Sequence, residues 1–300
     1  MIAARHSPLV IFAVGTLGIA LFSGMDAVMK GLVLAIGTYA TMLWRNMVGV
    51  GLSGLLYARR RRTWPHWPVM KLHLMRGLLS TVMGFLFFWG IGRVPLAQAI
   101  ALAFIAPLFA LYLAAVLLHE RVGPRTVVAS LVAFAGVIVI FVGQAQADLG
   151  REAMIGSIAI LVSALLYAFN IILMRQQSLV AEPVEIAFFQ SLIVTATLLS
   201  VLPFVGTSVP AAQHWPMLVF ASILSISSML LLSWAYARAE ASYLAATEYT
   251  AFLWAALFGW LVFAERLSPL TLAGATLIVA GCLAAARRAE EASPKLEAAA

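Results

Sequence analysis

Glu120-Arg121-Val122-Gly123-Pro124-Arg125-Thr126 returns 145 residues later as Glu265-Arg266-Leu267-Ser268-Pro269-Leu270-Thr271, with Glu, Arg, Pro and Thr in the same places. The same shift lays Trp89, Arg93 and Gly136 on Trp234, Arg238 and Gly281 without a gap. Shared Ala or Leu would carry little weight in a chain that is 63% hydrophobic, but shared Trp, Arg, Glu and Pro do. His66-Trp67-Pro68 also recurs as His214-Trp215-Pro216, with three residues of slippage. Each half holds five apolar segments of bilayer length, and five is odd. The second half must therefore cross in the opposite sense to the first, the inverted-repeat arrangement of many secondary transporters.

Only 10% of residues are charged and the mean hydropathy is +1.01, which leaves too little polar surface for a water-soluble protein. A bilayer core takes about 20 apolar residues per helix. Ten such runs are expected, at 8–28, 37–57, 73–92, 97–117, 125–143, 154–174, 184–205, 215–236, 243–263 and 269–286. The weak alternating segments of about ten residues that mark a membrane β-barrel are absent. The first run is too long, and too soon followed by a second, for a cleaved signal peptide. The fold class is thus all-α and integral to a membrane: ten helices in two inverted five-helix repeats around a central cavity, residues 1–147 and 148–288. The polar tail 289–300, a native end or an appended remnant, is given no function.

The net charge of +7 is distributed unevenly. With the N-terminus in the cytoplasm, Lys30, Arg93, Arg151 and Arg266 fall outside and Arg45 within a span, leaving fourteen of the 19 Lys and Arg inside. That bias places both termini in the cytoplasm, with the chain multi-pass in the inner membrane. Arg59-Arg60-Arg61-Arg62 reads as a topology anchor rather than a nucleic-acid patch. The lone Cys282 excludes a disulfide framework, and His73, His119 and His214 are too scattered for a metal set. No Lys-Ser/Thr follows the glycines at 31 and 37, so no phosphate loop is present. No cofactor or metal is expected.

The Glu-Arg-x-x-Pro links after the fourth and ninth runs, the Gly-bearing last run of each half and Arg45-Asn46 in the second run together resemble the drug/metabolite transporter superfamily. The resemblance is to its ten-helix EamA-type members, and covers residues 8 to 286. It implies a basket of helices in which the first, third, fourth, sixth, eighth and ninth line a cavity, the fifth and tenth pack outside, and small metabolites are exported. Within that group the chain looks most like the bacterial aromatic amino-acid exporters.

A charge deep in a span costs roughly 2.5–3.5 kcal/mol on insertion scales and needs a reason. Glu248 is the one acid placed well inside the bilayer, with Tyr249 and Trp254 on the same run. Its roles as read are a cavity carboxylate or a structural hydrogen-bond partner. Asp26 and Lys30 stand four apart toward the outer end of the first run and can pair, at the cavity mouth or as an interfacial bridge. Arg45 is read either as a clamp for a substrate carboxylate or, preferably, as a structural donor to neighbouring carbonyls. Arg93, Arg238, Glu120, Arg121, Glu265 and Arg266 begin short links and read as scaffold. His73 and Arg76 read as snorkelling to headgroups. Phe85, Phe88, Trp89, Tyr167 and Trp234 join Tyr249 and Trp254 as candidate cavity aromatics, while Trp64, Trp67 and Trp215 read as interfacial anchors. Pro107 removes a helix hydrogen bond within the fourth run, and with Glu248 it is a candidate for gating or coupling.

The reading that unites these observations is export of a small amphipathic metabolite, an aromatic or hydrophobic amino acid foremost, by alternating access. Efflux of lipophilic cationic drugs is the alternative within the same class. A membrane assembly factor or an intramembrane enzyme stands outside it, the latter without a Gly-x-Ser-Gly or His-Glu-x-x-His element. The partners expected are a small-molecule substrate and the lipid bilayer, with no nucleic acid. A monomer is permitted, since both repeats lie in one chain, and a dimer is possible.

Overall fold

The protein is described by a computed structural model over residues 8–60, 64–106, 108–109, 112–113, 124–146, 150–236, 247 and 249–292. Ten α-helices lie among the described residues: α1 (Pro8–Ile36), α2 (Thr38–Arg60), α3 (Trp67–Ile91), α4 (Leu96–Ala103), α5 (Pro124–Gln146), α6 (Gly150–Ser178), α7 (Pro183–Val205), α8 (Trp215–Tyr236), α9 (Thr250–Phe263) and α10 (Pro269–Ala292). Prolines open or follow the start of several, as at Pro68, Pro183 and the repeated Pro124 and Pro269, where an amide donor would have no partner. Gly37, at φ 80°, ends α1 by donating to Val33 O at 2.9 Å, and α2 begins one residue later.

Among the described residues, five helical segments are both long and apolar enough to cross a bilayer: Leu9–Ile36, Trp67–Ile91, Gly150–Met174, Pro183–Val205 and Ala212–Leu232. In α2 the apolar run is interrupted by Arg45-Asn46 and closes on Arg59-Arg60. Shorter apolar stretches, Leu131–Gly143, Thr250–Phe263 and Pro269–Gly281, lie in α5, α9 and α10. The first helix overruns its expected span. It covers 29 residues, about 44 Å at the usual rise, and carries Asp26 and Lys30 inside the helix rather than at its end.

The most extensive helix contacts all join one half of the chain to the other: α5 with α10, α1 with α8, α3 with α6 and α2 with α7. The 145-residue shift exchanges the α1/α8 and α3/α6 pairs. It also maps α2/α7 and α5/α10 onto themselves. The halves are thus laced through each other. Backbone closeness makes this possible at two glycine crossings. A Cβ built on Gly136 of α5 would lie 2.5 Å from the Gly274 carbonyl oxygen of α10, and one on Gly274 would lie 2.6 Å from the Gly136 oxygen. Where α3 crosses α6, a Cβ on Gly90 would come within 2.7 Å of the Gly156 oxygen. The largest buried apolar cluster forms around α4, where Leu96, Leu102 and Ile105 meet Ile140, Ile160 and Ile278.

Candidate functional site

The helix tightens at Phe104 and Ile105. α4 ends at Ala103, and in the turn that follows amide donors also reach three residues back, Phe104 N to Ala101 O at 3.3 Å beside Ile100 O at 3.1 Å, and Ile105 N to Leu102 O at 3.3 Å. On the symmetric element, Tyr249 lies in a turn before α9, with Phe252 N bonded to Tyr249 O at 3.4 Å. Phe104 and Tyr249 are repeat mates, and their rings meet edge to face at 5.4 Å. Interrupted helices at a repeat interface are where many transporters build their sites.

Helices α1, α2, α7, α8 and α9 carry buried polar atoms without a hydrogen-bond partner among the described residues. Asp26 is 1% exposed, and neither of its carboxylate oxygens has a hydrogen-bond partner. It lies ten residues before the end of α1, about 15 Å along the axis. Arg45 of α2 is the cation whose field acts on it. The Arg45 Nε is buried without a partner, and among the described residues its side chain bonds from Nη1 to the Asn46 side chain at 3.4 Å. Asn46 in turn donates to Met42 O at 2.7 Å. Arg45 therefore does not make the carbonyl bonds expected of a structural arginine. Ser222 of α8 donates to the Arg45 carbonyl at 2.9 Å, which holds α8 against this part of α2. Ser23 Oγ, Gln190 Oε1, Ser228 Oγ and Trp254 Nε1 are likewise buried and without partners. Trp254 stacks on Phe258 at 6.4 Å, and Phe258 lies against Gly24 of α1, two residues from Asp26.

Lys30 does not pair with Asp26. Its ammonium donates to Glu265 Oε1 and, at 2.6 Å, to Val94 O. The other Glu265 oxygen accepts from Leu96 N at 2.7 Å. One carboxylate thereby ties α1, the α3–α4 link and the α9–α10 link at a single point. The chain is led into it by Ala264, which sits in the left-handed region at φ 54°. Arg266 lines a small adjoining cavity of about 140 Å³ with Gln98 and Thr271.

On the same face a cavity of about 610 Å³ is lined by Val33, Thr38, Tyr39, Phe85, Trp89, Arg93 and Glu152, among others. Arg93 lies 3.5 Å over the Trp89 ring, donates to Trp89 O at 3.0 Å and pairs with Glu152 at 2.9 Å. Phe85 and Phe88 pack against the buried Met25–Met42–Val194 cluster between this cavity and Asp26. Two other aromatic candidates are placed elsewhere. Tyr167 is 38% exposed on α6, and Trp234 packs on Ile11 near the start of α1. Trp64 and Trp67 are exposed, while Trp215 meets Trp44 edge to face at 5.5 Å. Pro107, Glu120, Arg121, Arg238 and Glu248 lie outside the described residues.

A second buried polar group was not expected. His73 and Arg76 do not snorkel. His73 Nε2 meets Glu185 Oε1 at 3.2 Å, with side chains 0% and 1% exposed. Gln177 Nε2 meets His73 Nδ1 at 2.6 Å, and Arg76 donates to Gln177 Oε1 at 2.5 Å and to Asn170 Oδ1 at 3.2 Å. Glu185 is thus, with Asp26, an acid buried inside a span, where the sequence alone pointed to Glu248. Its near-terminal place in an apolar run hid it, because a charge there ordinarily reaches water.

The EamA-like transporter family model matches this chain twice, over residues 9–142 and 154–287. The pseudopaline exporter CntI of Pseudomonas aeruginosa (strain UCBPP-PA14) is similar at 29% identity, over 89% of this chain and 92% of its own length. A riboflavin transporter of Rhizobium johnstonii is similar at 27% identity, over 70% and 68%. A solved crystal structure superposes with a TM-score of 0.61 at 20% identity, covering 94% of this chain and 99% of its own, a likeness of fold alone. Two interlaced helical repeats in a membrane, unpartnered polar atoms buried on helices of both and a family match over both halves lead to one assignment: the chain belongs to the EamA-like transporter family and is a membrane transporter, not an enzyme.

Proposed function

We propose that this transporter exports small zwitterionic metabolites, amino acids with aromatic or hydrophobic side chains foremost, across the bacterial inner membrane by alternating access. The observation that carries the reading is the buried Asp26 with Arg45 acting on it, each with polar atoms the protein leaves unbonded. An ammonium supplies donors to the Asp26 carboxylate, and a carboxylate supplies paired acceptors to the Arg45 guanidinium. Phe85, Phe88 and Trp254 provide apolar and aromatic contact for a side chain, and the Trp254 indole N–H is still available to bond it. Export is supported by the relative named as an exporter, and a cytoplasmic position for both termini by the Lys and Arg bias. In that orientation the Glu265 face is periplasmic, and the Lys30–Glu265–Leu96 junction closes part of it.

A counterflow screen in proteoliposomes tests the reading, with internal L-phenylalanine, each amino acid as external competitor, and tetraphenylphosphonium as a lipophilic cation. Competition by aromatic and hydrophobic amino acids, lost on methylation of either the amine or the carboxylate, is the expected result. Competition by the cation alone would replace the reading with drug efflux, for which the buried Asp26 carboxylate would suffice without Arg45.

A further inference from the structure

The group of His73, Arg76, Gln177 and Glu185 plays no part in holding a substrate at Asp26, yet it buries two titratable side chains and a guanidinium within the spans. His73 lies two turns in from Trp67, about 9 Å along α3. Its ring stacks on Phe189 at 4.7 Å, and Phe189 is covered in turn by Trp64. The group joins α3, from the first half, to α6 and α7, from the second, on the face opposite Glu265. Its 145-residue images are Leu218 for His73, Ala221 for Arg76, Leu32 for Gln177 and Ala40 for Glu185, all apolar. The scaffold repeats on both faces, but this device exists on one only.

Donor and acceptor chemistry fixes its state. Arg76 can only donate, so the Gln177 oxygen must face Arg76 and its amide nitrogen must face His73. An amide N–H needs an acceptor, which makes His73 Nδ1 the bare nitrogen. The ring proton is then on Nε2, donated to Glu185. The imidazole is neutral, with one site for a proton, and that site is already met by a donor.

We propose that His73 Nδ1, supported by Glu185, is a proton-binding site whose protonation is linked to opening of the face between α3 and α6. A proton arriving from water at Nδ1 creates an N–H opposed to the Gln177 amide at 2.6 Å, where two donors cannot both stay. The Gln177 amide must turn over to offer its oxygen, and in doing so it withdraws the acceptor that Arg76 holds across the α3–α6 contact. Arg76 is left with Asn170, which also accepts from Ser80 at 3.3 Å. Glu185 balances the new imidazolium charge. Arg76 on the same helix opposes it, Tyr167 of α6 acts on Arg76, and α2 contributes Tyr57 through its contacts with Phe188 and Phe189. Because the site faces the cytoplasm only when the two halves part there, binding and opening are linked, and each favours the other.

The inference is independent of the substrate's identity and is tested without one. The full chain, with Cys282→Ala and spin labels introduced by Met75→Cys and Met174→Cys on the lipid side of α3 and α6, is measured in nanodiscs from about pH 8 to about pH 5. A lengthening of the interlabel distance on acidification is expected in the parent, and its loss is expected in His73→Gln, which keeps a donor for Glu185 but takes up no proton. Gln177→Leu, which removes the amide that links the two events, is expected to leave the distance insensitive to pH while histidine NMR still shows His73 charging. An unchanged distance in the parent over this range overturns the proposal, whether or not the variants fold. A lengthening that survives in His73→Gln overturns it equally.

Discussion

Asp26 is the residue at which stability and function are set against each other. A carboxylate buried in a span without a donor destabilises the fold, and sites that bind ligand commonly carry such defects. Asp26→Asn is therefore expected to raise the melting temperature in detergent while cutting transport at least tenfold; a lowered melting point would mean that Asp26 is structural. Arg45→Gln removes a charge-assisted contact of about 1.5–3 kcal/mol, which corresponds to a rise in KM of about ten- to a hundredfold with little change in kcat. Lys30 obeys a different rule. Lys30→Met leaves Glu265 short of its cation and should cost about 3 kcal/mol, whereas Lys30→Met with Glu265→Gln should recover most of the loss. A double-mutant cycle in thermal unfolding reads that coupling directly. These distinctions were half visible in the sequence. Lys30 looked like the end of a span because a charge ordinarily ends one, but its partner is 235 residues away and lets α1 continue. Asp26, taken for that partner, was thereby placed too near the surface.

At the scale of helices, the repeat was legible because Trp, Arg, Glu and Pro recur at one offset, and the helix starts follow from Pro124 and Pro269. Which helices touch was not legible. The shift pairs Gly136 with Gly281, yet the backbone that Gly136 meets is that of Gly274. Gly136→Val or Gly274→Val would press a side chain into a carbonyl and destabilise by about 1–3 kcal/mol or more. Gly51, around which a Cβ would meet nothing, should accept alanine without loss. Cysteine crosslinking or thermal melting of the variants separates these cases. His73 and Arg76 were misplaced for a related reason. Their sequence neighbours are apolar and near a span end, and the groups that satisfy them arrive from α6 and α7.

The whole molecule is held together by contacts between its halves rather than within them. Residues 1–147 expressed alone leave α1, α2 and α3 without their principal partners, and should be degraded. The two halves expressed together as separate chains should recover a folded, transporting complex, since only the α5–α6 link is cut. Pull-down of one tagged half by the other, with counterflow in the recovered material, checks this outcome. A stable, monodisperse N-terminal half would contradict the interlaced arrangement.

The lacing of α1 with α8 sets a schedule for synthesis. Ile36 leaves the ribosome 179 residues before Trp215, a wait on the order of 10–40 s at ordinary elongation rates. Throughout that interval Lys30 sits in a nascent helix whose ionic partner Glu265 and whose packing surface on α8 have not yet been made. The first helix must be sheltered at the translocon or held by an insertion chaperone until the last third of the chain emerges. Codon changes that slow decoding between the two helices should lower the yield of inserted protein without altering a single contact in the finished fold.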